Sequence, residues 1–189
     1  KELIIIYGDY DVDGICACAI LYKALTSIGA KVLPYIPHRE KEGYGLSSTG
    51  LQIAKDQDAS LVITVDNGIT AIEQAKFAKK LGLDLIITDH HIPLKKQPEA
   101  LVIVHSVKMC GAAVAWCLIK DMIEKDLACE LLQFTAIATI CDLLPLIGLG
   151  RAFVFEGLKI VNCTTNPGLL ALINQSQINL GDIGSFEVG

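Results

Sequence analysis

The stretch SLVITVDNGITAIEQAKFAKKLGLDLIITDHH, residues 60–91, decides the fold. SLVITV (60–65) is a short apolar, β-branched run and reads as a strand. Thr70 and Glu73 have capping-box spacing and open a helix over 70–81. Gly82 ends that helix, and LDLIIT (83–88) is a second strand. Strand, helix and strand in succession make a crossover unit, so the two strands run parallel and the connection is right-handed.

The same reading extends outward. LIIIY (3–7) is apolar throughout, as parallel strands buried on both faces are. Residues 14–28 are too long for a strand and apolar nearly all round, which gives a deeply packed helix closed by Gly29. KVLPYIP (31–37) is a strand that Pro34 places at an edge or bulge, residues 46–57 form a short helix, and ALVIV (100–104) is a further strand. Beyond residue 110 the stretches 111–126, 129–141 and 150–162 read as helices, and Pro167 starts another. The fold class is α/β: an open, mostly parallel sheet flanked by helices, followed by a helical segment. Residues 1–109 form the α/β core, and 110–189 a helical part of the same domain.

With 189 residues, 52% hydrophobic and 20% charged, the chain has a large core and is not of the disordered class. No apolar run approaches the ~18 residues of a membrane span. A net charge of −5 does not advertise a polyanion binder, although clustered metal-binding carboxylates inflate the negative count. Seven cysteines without a C-x-x-C pair argue against structural zinc and for reduced thiols, hence a cytoplasmic protein. The first residue is Lys1 and the tail GDIGSFEVG (181–189) lacks a tidy terminal element, so a piece of a longer chain is expected.

Ligands of open α/β sheets sit beyond the carboxyl ends of the strands. Three acidic signals fall there: Asp9, Asp11 and Asp13 in YGDYDVDG (7–14), Asp66 after 60–65, and Asp89-His90-His91 after 83–88. A calcium loop of the D-x-D-x-D-G type is excluded, because its closing glutamate would fall at Ile20. Each signal alone is an ordinary turn or helix cap. Together they meet at one sheet edge. Crowded carboxylates repel unless cations lie among them. Carboxylates mixed with imidazoles suit Mn2+ or Mg2+ better than zinc, and imidazole favours Mn2+.

YGDYDVDG, VDNG (65–68), TDHH (88–91) and ATICDLLPL (138–146) occur in the order of motifs I to IV of the DHH phosphoesterase superfamily. REKEGYGL (39–46), CGAAVAW (110–116) and GRAFVFEGLKIVN (150–162) make the chain resemble the RecJ branch, single-strand-specific 5′→3′ exonucleases of DNA repair and recombination. That resemblance implies a hydrolase that degrades single-stranded DNA to mononucleotides with two Mn2+ ions, Mg2+ being the alternative. It implies ligation by Asp11, Asp13, Asp66, His90 and Asp142, with Asp66 bridging the ions. It assigns Asp13, Asp66 and His91 to catalysis, His91 facing the scissile phosphate, and gives Asp89 the task of orienting His90 or its loop. Asp142 rests on the resemblance alone. Tyr7 stands where many members carry a histidine, so Asp9 or water fills that ligand's place.

Arg39 and Lys41 are suited to phosphates and Tyr44 to stacking on a base, against the alternative of a glycine-rich turn between solvated charges. His38 reads as a surface histidine. His105 is expected to contact a phosphate or support the site. For Gly111 and Ala112 tight helix packing is the default reading, and the resemblance leaves room for them to lie near a substrate phosphate at a helix N-terminus. The implied partners are single-stranded DNA and a single-strand-binding protein or helicase, with C-terminal DHHA1 and OB-type domains beyond this chain and no membrane. Two other readings stay open: a small-substrate phosphodiesterase of the superfamily, acting on short oligonucleotides or cyclic dinucleotides, and a non-catalytic replication or repair adaptor.

Overall fold

A computed structural model describes residues 2–189. Five strands, β1 (Leu3–Tyr7), β2 (Lys31–Tyr35), β3 (Ala59–Val65), β4 (Asp84–Asp89) and β5 (Val102–His105), form one sheet in the order β2-β1-β3-β4-β5. Every neighbouring pair is parallel. The helices are α1 (Val12–Ser27), α2 (Arg39–Glu42), α3 (Ser48–Asp56), α4 (Ile72–Lys80), α5 (Gly111–Ile119), α6 (Lys125–Cys141), α7 (Gly148–Val161), α8 (Pro167–Gln175) and α9 (Ser185–Val188).

The central strands are apolar throughout because both faces are covered. Ile6, Ile63 and Val65 pack with Ala17 and Leu21 of α1, Ala113 of α5 and Leu131 of α6 on one face. Ile5, Tyr7, Val62 and Ile87 pack with Leu51 of α3 and Ala75 and Ala78 of α4 on the other. Each such large side chain contributes about 1.5–3 kcal/mol by leaving water. β2 is an edge strand, as Pro34 requires, since proline has no N–H for a central ladder. The helical part folds onto the α1 side of the sheet, so the core runs from β1 to Phe134 of α6 without a break.

Local boundaries differ from the sequence reading in informative ways. α1 begins two residues early because Asp11 caps it, its Oδ1 accepting the Gly14 N–H at 2.9 Å. The capping box expected at Thr70 and Glu73 does not form. α4 starts at Ile72 without a side-chain cap, and Glu73 pairs with Lys76 at 2.7 Å. The cause lies in the loop before it: the Ile69 N–H donates to Asp89 Oδ2 at 2.8 Å, which holds the chain against the sheet edge and delays the helix. Residues 120–124, read as helix, form the turn between α5 and α6, across which the Trp116 indole N–H donates to the Ala128 carbonyl at 2.8 Å. The tail, expected to lack an element, closes as α9 against a small cluster of Val161, Ile173 and Ile183. Among the described residues no helix is long and apolar enough to cross a membrane.

α6 and α7 approach closely at Gly157. A Cβ there would overlap the Leu132 carbonyl oxygen and lie 2.5 Å from the Ala136 Cβ. Alanine gains up to ~1 kcal/mol in helix propensity over glycine. Overpacking against a backbone atom costs about 1–3 kcal/mol and outweighs it. Gly157→Ala is therefore expected to lower the urea midpoint, by a net loss on the order of 1 kcal/mol. An unchanged or higher midpoint would show that the α6–α7 spacing adjusts freely.

Candidate metal centre

β1 and β3 stay paired up to Tyr7 and Thr64 and then diverge. The Asn67 side chain bridges the fork: its amide lies 3.1 Å from the Gly8 carbonyl, 3.3 Å from that of Tyr7 and 2.9 Å from that of Val65. Asp66, next to it, has φ +62°, a left-handed conformation that Asp and Asn tolerate better than most residues. Its N–H donates to the Thr88 carbonyl at 3.0 Å, so β4 also fixes it. Gly111 presses against its far side, where a Cβ would fall 2.6 Å from the Asp66 Cβ.

The sheet edge thereby gathers side chains from distant parts of the chain. His90 Nε2 lies 3.0 Å from Asp66 Oδ1, 3.5 Å from Asp13 Oδ2 and 3.7 Å from Asp142 Oδ2. Asp142 reaches this place as the residue that ends α6. Three overlapping groups, Asp9–Asp11–Asp66, Asp13–His90–Asp142 and Asp66–His90–His91, each have ligand atoms within 4.8 Å of one another. Among the described residues, the buried side-chain polar atoms without a hydrogen-bond partner are Asp9 Oδ2, Asp66 Oδ1, Asn67 Oδ1 and His90 Nε2. Native folds rarely leave such atoms orphaned, and three of these four belong to the overlapping groups. A divalent cation shared among oxygens and an imidazole would satisfy these three, and this donor set suits Mn2+ or Mg2+.

Electrostatics point the same way. Burial, reinforced by Asp13 and Asp11, pushes the Asp66 carboxyl up to about 10. Burial also raises Asp13, Asp9 and Asp142, with like charges adding to the effect in each. Asp13 is raised although two helix termini oppose it. It sits in the first turn of α1, and its oxygens accept the N–H groups of Gly111 at 2.6 Å and Ala112 at 2.7 Å, so it caps α5 from 98 residues away.

Asp89 behaves differently. Burial would raise its pKa, but hydrogen bonds from the His91 ring, Ile69 and the His91 backbone outweigh this and hold it low. Oδ1 accepts the N–H groups of His90 and His91 and the His91 ring Nδ1 at 2.7 Å. Asp89 thus orients the His91 ring and the shared loop rather than the His90 ring, and the carboxylate in turn raises the His91 pKa.

The remaining expected residues fall as follows. Tyr7 points to the opposite sheet face, where its hydroxyl meets Ser47 Oγ at 3.1 Å, while Asp9 is fully buried and lies with Asp11 and Asp66 in one of the overlapping groups. Arg39 lies over the Tyr10 ring at 5.2 Å, and its charge is felt by Asp9, so it stands at the mouth of the site. It opens the short helix α2, which His38 caps by accepting the Glu40 N–H, rather than lying in a bare glycine turn. Lys41 is exposed on the same helix. Tyr44 is half exposed, with its hydroxyl 2.9 Å from His91 Nε2 and 3.2 Å from Nδ1, astride the ring rather than along one lone pair. His105 Nε2 meets the His91 carbonyl at 2.7 Å and supports that loop.

Gly111 is buried in helix packing and its N–H, like that of Ala112, donates to Asp13, so that carboxylate occupies the place the resemblance left open for a substrate phosphate. Asn67 was not foreseen. The DNG triplet reads as a turn, and nothing local marks the asparagine as the bridge between two strands.

The sequence profile described as "DHH family, N-terminal domain" matches residues 3–139. The chain belongs to the DHH family. It is 40% identical over 198 residues to the single-stranded-DNA-specific exonuclease RecJ of Bacillus subtilis (strain 168), covering 100% of this chain and 25% of that protein. The RecJ of Thermus thermophilus is 37% identical over 177 residues, which cover 88% of this chain and 26% of that protein. The DHH chain therefore spans about a quarter of these curated relatives. A crystal structure of exonuclease RecJ bound to manganese superposes with a TM-score of 0.88 at 35% identity, over 99% of this chain and 50% of that one.

The raised carboxyls fix a pH dependence. In the folded, metal-free chain, Asp9, Asp13, Asp66 and Asp142 hold protons above the ordinary value of 3.8, so the fold binds more protons than the unfolded chain. Stability then falls as pH rises from about 4 through the folded values. The melting temperature of the chelated chain should drop between about pH 5 and about pH 8, and Mn2+ should restore more at the higher pH. A metal-free melting temperature that climbs over this range would mean that the carboxylates ionise without penalty.

Proposed function

We propose that this chain is the catalytic DHH part of a RecJ-like 5′→3′ exonuclease, a metal-dependent phosphodiesterase that hydrolyses single-stranded DNA to mononucleotides. The observation that carries the reading is the convergence of Asp13, Asp66, His90 and Asp142, from four separate segments, around atoms left without partners. The names of its relatives support the substrate class. In this reading Asp11, Asp13, Asp66, His90 and Asp142, with Asp9, would hold two Mn2+ ions, Mg2+ being the alternative, and Asp66, which belongs to two of the overlapping groups, would be shared between them. Bound cations of this kind lower the pKa of a water and polarise a phosphoryl oxygen.

The protein's own groups then position the substrate. Asp89 fixes the His91 ring so that it faces the scissile phosphate. Arg39 receives a phosphate at the rim, Tyr44 lies flat beside a base, and His105 steadies the loop that carries His91. Residues 1–109 supply all the proposed ligands except Asp142, which residues 110–189 bring in. The intact protein is proposed to act in the cytoplasm in DNA repair and recombination, with a single-strand-binding protein or helicase as partner.

Asp66→Asn is the cleanest test, because asparagine keeps the left-handed backbone that alanine would strain. Turnover of 5′-labelled single strands with Mn2+ should fall by at least about two to three orders of magnitude. Replacing a carboxyl that must take up a proton to sit in the metal-free site should at the same time raise the metal-free melting temperature at neutral pH. Turnover retained in this variant would remove Asp66 from the mechanism. Cleavage confined to substrates a few nucleotides long would replace the exonuclease reading with that of a small-substrate phosphodiesterase.

A further inference from the structure

The overlapping ligand groups differ in chemistry. Asp9, Asp11 and Asp66 offer carboxylate oxygens alone, whereas Asp13, His90 and Asp142 offer carboxylates and an imidazole. No ring completes the first group. Tyr7, at the end of the strand below it, is turned to the other sheet face and bonded to Ser47. His91, whose charge Asp9 feels, has Nδ1 at 2.7 Å from Asp89 and the Tyr44 hydroxyl at 2.9 Å from Nε2. The orphaned atoms divide in the same way. Asp9 Oδ2 belongs to the oxygen group and His90 Nε2 to the imidazole group, while Asp66 Oδ1 stands between them, 3.0 Å from His90 Nε2.

We propose that the two cation positions are unequal in selectivity: the Asp9–Asp11–Asp66 position takes Mg2+ as readily as Mn2+, and the His90 position holds Mn2+ against Mg2+. This rests on the two-cation reading of the site given above. Mg2+ is a small, hard cation that prefers oxygen donors and gives up its water reluctantly. An all-carboxylate position suits it. An imidazole nitrogen adds more to the binding of Mn2+ than of Mg2+, so each His90-bound Mn2+ exchanged for Mg2+ gives up a better bond for a poorer one. In a medium rich in Mg2+ and poor in Mn2+, the pair is then mixed, with the bridging Asp66 touching both kinds of ion.

The test follows metal binding directly, apart from turnover. The metal-free 189-residue chain is loaded with Mn2+, and bound Mn2+ is followed by electron paramagnetic resonance while Mg2+ is added. The expected result is biphasic: Mg2+ removes one ion first, with the two displacement midpoints at least about tenfold apart. The spin-coupled signal of the pair gives way to that of an isolated Mn2+, which carries nitrogen modulation from the His90 ring. In His90→Asp, an all-oxygen variant, Mg2+ should displace both ions in one phase. Circular dichroism checks that this variant is folded, and if it is not, the nitrogen modulation in the native chain decides alone. Displacement of both ions in parallel from the native chain, or a retained ion without nitrogen coupling, overturns the selectivity proposal while the two-cation site stands. A chain that binds no Mn2+ overturns both.

Discussion

Mutual repulsion among aspartates at the carboxyl edge of one parallel sheet is the constraint on which the rest of this structure depends. Asp66 and Asp13 are almost wholly buried and lie within reach of the same imidazole. Removing such charges from water costs several kcal/mol each unless something compensates them. The fold supplies part of the compensation from its backbone. The start of α1 and the start of α5 both point at Asp13, and four N–H···O contacts hold Asp89 in its ionised form. Asp66 and Asp9 have no such support for their free oxygens, and these are the atoms through which a cation would bind.

The surrounding architecture can be understood as what keeps those groups from moving apart. Asn67 ties the ends of β1 and β3, Thr88 fixes Asp66, and His105 holds the carbonyl of His91. A loop edge of this kind would otherwise relax by turning its carboxylates out to solvent. The left-handed backbone at Asp66 is the visible cost of preventing that, and it fits because residue 111 is a glycine, whose missing Cβ leaves space for the Asp66 side chain.

Much of this was legible in the sequence, for reasons that differ by residue. The strands announce themselves because both faces are covered, so runs such as LIIIY have no polar interruption. Asp9–Asp13, Asp66 and Asp89–His91 could be placed at one edge by crossover logic alone, without knowing any side-chain direction. Asp142 could not, because the path from β5 through α5 and α6 back to the sheet edge leaves no periodic trace. It was found through the likeness of ATICDLLPL to a known motif. The onset of α4 was misplaced because the deciding hydrogen bond, from Ile69 to Asp89, joins residues twenty apart in the chain. Sequence shows that the first N–H groups of α5 are free of their own helix, and not that the Asp13 carboxylate will occupy those of Gly111 and Ala112.

The link between Asp13 and α5 has a consequence for how the molecule can be divided. One carboxylate closes the first turn of a helix that belongs to the other half of the chain, and that helix packs against α1 through the core they share. Severing the polypeptide near residue 109 would strand an anion that had two amide partners and strip an apolar flank from the sheet. The two halves share one core and one capped helix, so the edge that gathers the carboxylates is not expected to fold as a self-sufficient mini-scaffold.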